Sequence, residues 1–145
     1  MTEFIPYENF SFDIASGVHD FPDDTFKIAL TDRAPVVGSD TVFADIDELP
    51  AGNGYLAGGM GLSTKAVTQD GIDTLMTNNN IAFISHTGDV GPFRYTVLYN
   101  VTKDRLMGYW DRFSEITLHG LVGDPFSIFF GDDQVVVAVV PVVRP

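Results

Sequence analysis

The chain has 145 residues, 45% of them hydrophobic, with no cysteine and with 20 acids against eight bases, a formal net charge of −12. That length predicts one domain able to bury roughly 68–70% of its unfolded surface. The missing cysteine excludes disulfides and thiolate metal sites, and the acidity makes a phosphate backbone a poor direct partner. Charge is uneven: residues 1–50 hold 11 acids and two bases, Lys27 and Arg33. No apolar run approaches the roughly 18 residues of a membrane span. With Glu3 and Glu8 and no base before Lys27, the N-terminus does not read as a signal or transit peptide.

Residues 1–24 are aromatic but aperiodic: Phe4, Ile5, Tyr7, Phe10, Phe12 and Ile14 precede the turn-rich Phe21-Pro22-Asp23-Asp24. They are read as an extended arm lying on a surface, its own or a neighbour's, ahead of a single β domain over 25–145. Phe26–Leu30 predicts a short strand. Val42, Ile46 and Leu49 fall at helical spacing behind Ser39 or Asp40 as a cap, so a short helix is expected over Asp40–Leu49, ending at Pro50. Five glycines within Ala51–Gly61 mark a structured turn or bulged strand anchored by Tyr55 and Leu56. Thr64–Thr68 predicts a strand, and the polar Gln69–Asn80 carries Asp70-Gly71 as a hairpin signal.

From Ile81 onward the β pattern strengthens, beginning with a strand over Ile81–Ser85. Phe93, Tyr95, Val97 and Tyr99 alternate with Arg94, Thr96, Leu98 and Asn100, a strand with one aromatic face. Leu106–Trp110 is its expected hairpin partner across Val101–Asp104, followed by Glu115–Leu118. Pro125–Phe130 and Gln134–Val140 are expected to form a last hairpin around Gly131-Asp132-Asp133. The apolar run VVVAVV suits a central strand covered on both faces. Val97, Leu98, Ile128, Phe130, Val137 and Val139 are expected in the core. Together these signals predict an all-β protein, an antiparallel β-sandwich or jelly-roll-like domain with at most one or two short helices.

Chemistry-bearing motifs are sparse. Gly52-Asn53-Gly54-Tyr55-Leu56-Ala57-Gly58 misses the dinucleotide spacing by one residue and lacks a following helix. Lys65 does not sit in a phosphate-loop pattern. His19, His86 and His119 are isolated and read as surface or loop histidines. Asp45 and Asp47 fail the calcium-loop spacing because Leu49 takes the third ligand position. Arg94, mid-strand, is expected to pair with a neighbouring acid or stack on a ring. No catalytic residue, cofactor or metal ion is expected.

AGNGYLAGG at Ala51–Gly59, GDVGPFRYTVLYN ending at Asn100, and LMGYW ending at Trp110 resemble a family of small structural proteins encoded in tailed-phage genomes. The resemblance covers about Phe26 to Trp110 and, more loosely, the C-terminal hairpin. GIDTLMTNNN departs from the regular Thr-rich hairpin expected there. The resemblance implies a non-enzymatic capsid decoration (cement) protein that binds the outside of the major capsid lattice, often as a trimer. It implies a location on the virion exterior; from charge and hydropathy, neither nucleic acid nor a membrane is expected as a partner. Phe4, Ile5, Tyr7, Phe10 and Phe12 of the arm are the candidate contacts between subunits. Two alternatives from other classes are a carbohydrate- or receptor-binding module of a head or tail fibre, presenting aromatics such as Tyr109 and Trp110, and a ring-forming tail or neck assembly protein.

Overall fold

The computed structural model describes residues 4–63, 65–71, 73–78, 80–120, 125–128 and 135–136. The elements are β1 (Phe4–Pro6), α1 (Phe10–Ala15), β2 (Phe26–Thr31), a 3-10 turn (Phe43–Ile46), β3 (Met60–Gly61), β4 (Ala66–Asp70), β5 (Asp73–Thr77), β6 (Ile81–Ile84), β7 (Val90–Asn100), β8 (Arg105–Leu118), β9 (Pro125–Ile128) and β10 (Val135–Val136). The protein is all-β. Among the described residues every strand pair is antiparallel, and the strands form a five-stranded sheet in the order β1-β8-β7-β2-β3, a three-stranded sheet β10-β5-β4, and the pair β6-β9.

The large sheet is buried on both faces, and the period of two in its strands divides the core accordingly. Phe26, Ile28, Leu30, Leu98 and Trp110 face one side, where Met76 of β5 and Ile81 and Phe83 of β6 complete the cluster. Ala29, Val97, Tyr99 and Leu106 face the other, covered by Tyr7 and Ile46 with Phe43 and Tyr109 beside them. Val97 and Leu98 are fully buried, as expected. The single aromatic face expected on β7 is corrected by a register shift between Phe93 and Tyr95. That bulge breaks the alternation, so Phe93 joins Leu98 in the first cluster while Val97 and Tyr99 line the second.

The N-terminal arm lies on the chain's own surface, one of the two placements expected for it, as a strand and a short helix. Phe4–Pro6 pairs with β8, setting Phe4 opposite Trp110 and Pro6 opposite Gly108. Tyr7 continues the ladder, its N–H donating to the Met107 carbonyl at 3.0 Å. The Phe4 ring packs edge-on against Trp110 and Phe10, and it occupies the space that a Cβ on Gly108 would need. Residues 10–15 are helical, with Phe10 and Asp13 turned inward. Segments this short carry no period of their own; they are ordered by a sheet edge built from residues a hundred positions later.

Two further expectations change, and a third falls mostly outside the described residues. The helix over Asp40–Leu49 reduces to the 3-10 turn, because the Asp45 carboxylate accepts the Thr41 and Val42 N–H groups at 2.9 and 3.1 Å. The polar stretch after Asp70 contains β5, whose Leu75 and Met76 are buried. The last hairpin is not seen in the described pairings: β9 runs beside β6 and β10 beside β5. Phe130, Val137, Val139 and the turn Gly131-Asp132-Asp133 lie outside the described residues, and Ile128 stands opposite Ile81.

Candidate interaction surface

Three large apolar side chains, Phe12, Leu56 and Phe113, are each 73% exposed, and each stands on a backbone held by its neighbours. Phe113 has φ 68°, a left-handed conformation that a bulky aromatic adopts at a cost of about 1–3 kcal/mol. Asp111 holds it there. Its Oδ1 accepts the Phe113 N–H at 2.8 Å, while its two oxygens take Arg94 Nε and Nη2 at 2.8 and 3.1 Å. The bidentate Arg94 guanidinium keeps the Asp111 carboxyl below the usual carboxylate range, and it also lies 5.3 Å from the centre of the Tyr95 ring. Arg94 therefore both pairs with a neighbouring acid and stacks on a ring. Close by, a hydrogen bond and charge repulsion from Asp32 push the Glu115 carboxyl up.

Leu56 caps the glycine-rich loop. Asn53 and Gly54 both take positive φ, 55° and 100°, and Gly52 and Tyr55 exchange two backbone hydrogen bonds of 2.9 Å around them. This is a two-residue hairpin turn of the Asn-Gly kind. Glu48 braces its far side, accepting the Tyr55 hydroxyl at 2.6 Å and the Gly58 N–H at 3.0 Å. Tyr99 donates to the Gly58 carbonyl at 2.6 Å, and Leu30 N–H donates to the Tyr55 oxygen at 3.1 Å. Burial and, second, the Glu48 bond drive the Tyr55 hydroxyl pKa upward, and burial lifts Tyr99 to about 12. Gly59, at φ 86°, packs where a Cβ would strike the Ile28 carbonyl. Between Leu56, Met60, Phe83 and Lys27 the loop leaves a groove of about 270 Å³. A strand, β3, and not a helix N-terminus, follows the loop.

Of the expected contact residues, Tyr7 and Phe10 are buried, Phe4 and Ile5 are half-buried against β8, and only Phe12 points to solvent. Facing Phe10 and Asp13 inward puts Phe12 on the outer side of α1, beside Val37, Gly38 and Glu8. Trp110 is fully buried and Tyr109 packs on Tyr7 and Tyr95, so these two form no exposed aromatic platform.

His19 is corrected from surface to interior. It is 9% exposed among the Phe10, Phe21 and Phe26 rings. Asn100 Oδ1 accepts the Lys103 N–H, and its Nδ2 donates to Asp24 at 2.8 Å and lies 3.0 Å from His19 Nδ1. That network makes Nδ1 an acceptor, so the imidazole is neutral, and burial lowers its pKa. Burial also pushes the Asp24 carboxyl up, but bonds from Asn100, Asp20 N–H and Lys103 outweigh it and hold it low. His86 and His119 are exposed, and Ser85, next to His86, is buried. Among the described residues no three His, Asp or Glu side chains gather to hold a metal ion, and no helix is long and apolar enough to cross a membrane.

Compared with protein-family models, with curated proteins and with solved structures, the chain matches none.

Proposed function

We propose that this chain is a non-enzymatic structural protein of a tailed-phage virion, a capsid decoration subunit bound to the outside of the major capsid lattice, with Phe113 as its lattice anchor. The observation that supports this reading is the mount of Phe113. An exposed aromatic is held in a costly backbone conformation by a charged clamp, Arg94–Asp111. Strain of this kind persists where a surface must present one side chain in one direction. A preformed anchor loses little conformational entropy when it docks, which suits repeated binding to identical lattice sites. The partner's identity rests on the resemblance of AGNGYLAGG, GPFRYTVLYN and LMGYW to phage structural proteins. Acidity fits an exterior position away from packaged DNA.

The test is rebinding of purified protein to capsids of the encoding phage that lack it. Wild type should sediment with capsids, and Phe113→Ser, exposed and harmless to the core, should bind at least about tenfold more weakly. Wild-type protein that ignores capsids but binds tails, or binds glycans on an array, would replace this reading with one of the two alternatives.

A further inference from the structure

Phe12 and the Leu56 groove are a knob and a hole on opposite edges of one sheet. β1, which leads into α1 and Phe12, and β3, which floors the groove with Met60, are the two outer strands of the order β1-β8-β7-β2-β3. The groove's apolar walls are Leu56, Met60 and Phe83, and its volume is about 270 Å³; cavities of about 150 Å³ are large enough to bind benzene. Lys27 is its one charged lining residue, and among the described residues it makes no ion pair. Few cations are available on a chain of net charge −12, so one beside an apolar groove, with no ion pair among the described residues, selects an occupant that is apolar with an acidic rim. Phe12 meets that description: it is 73% exposed and shares its hollow with the Glu8 carboxylate.

We infer that Phe12 of one copy of this chain seats in the Leu56–Met60–Phe83 groove of a second copy, with Glu8 of the first facing Lys27 of the second. The contact joins two different patches, so it is head-to-tail. Such a contact propagates from copy to copy and closes into a ring where the rotation allows. Both halves are preorganised, the knob on a helix and the hole on a loop braced by Glu48, Tyr55 and Tyr99. Phe113 lies outside this contact, so self-association is separable from capsid binding.

Complementation tests the inference. Phe12→Ser and Leu56→Ser change exposed residues and should fold as wild type, checked by circular dichroism. In sedimentation velocity over a concentration series, each variant alone should self-associate at least about tenfold more weakly than wild type. An equimolar mixture of the two should recover dimers, because Leu56→Ser keeps its Phe12 and Phe12→Ser keeps its groove. The pair Glu8→Lys and Lys27→Glu should behave likewise when mixed. A wild-type chain that stays monomeric at several hundred micromolar, or a mixture that recovers nothing, would overturn it. Loss of capsid binding by Phe113→Ser with self-association intact would leave it standing.

Discussion

The Asp111 carboxylate accepts the backbone N–H of Phe113 at 2.8 Å while gripping Arg94 through both oxygens. One acid thus ties a strand-to-strand ion pair to the direction of an exposed ring. Asp111→Ala should free the Phe113 bulge, seen as faster amide exchange at Phe113, and should weaken capsid rebinding without unfolding the domain. Because the folded carboxyl is held below its ordinary value, the Asp111 contribution to stability is present above about pH 4 and is lost as pH falls through the folded value. The stability difference between wild type and Asp111→Ala, read from melting temperatures, should therefore shrink as pH falls through that range.

Glu115 should show the opposite sign. Asp32 raises its carboxyl above the ordinary glutamate range, so the stabilising contribution is full below about pH 4.3 and disappears as pH rises through the folded value. Above that window the two carboxylates repel. Glu115→Gln should melt higher than wild type at pH 7 and equal to it at pH 4; equal melting temperatures at pH 7 would show that the two side chains do not interact.

The His19 latch should make the domain acid-sensitive. The folded imidazole titrates below its ordinary value, so the unfolded chain takes up the proton first and stability falls as pH drops below about 6.5. Protonated Nδ1 would also confront the Asn100 NH₂ group, donor against donor. Asp13 and Asp24 favour the charged ring, while Lys103 and Arg105 oppose it. Thermal melts from pH 7.5 to 5 should show this loss in wild type and a flatter profile in His19→Phe. Asn100→Ala, which strips a buried carboxylate of a donor, should cost about 1–3 kcal/mol at pH 7.

The N-terminal segment should matter to folding. Phe10→Ala should destabilise by about 3–5 kcal/mol, and Gly108→Ala by about 1–3 kcal/mol, because its Cβ would displace the Phe4 ring from its place against Trp110. Urea titration reads both. A Phe10→Ala protein as stable as wild type would show that this segment is not part of the core.

The all-β class, the β7–β8 hairpin and the burial of Val97 and Leu98 were legible in the sequence, because strand and turn signals recur along it and apolar residues fall on both sides of β7. So was the structured nature of the glycine-rich loop, since five glycines in 11 residues supply positive φ at little steric cost. Arg94 could be singled out as a strand cation in need of a partner, but Asp111 as that partner depended on strand register. Tertiary structure alone decided the rest. A three-residue β1 has no period to read and exists because β8 offers it an edge. One irregular stretch, between the pairs Phe93–Ile116 and Tyr95–Asp111, both turned Phe93 to the opposite cluster and carried Phe113 into solvent. His19 went inside because Asn100, eighty-one positions away, supplied a hydrogen bond within a cage of phenylalanines. Pattern reports how a residue sits relative to its near neighbours; burial of a short segment, or exposure of a single ring, is set by groups the chain brings back from far away.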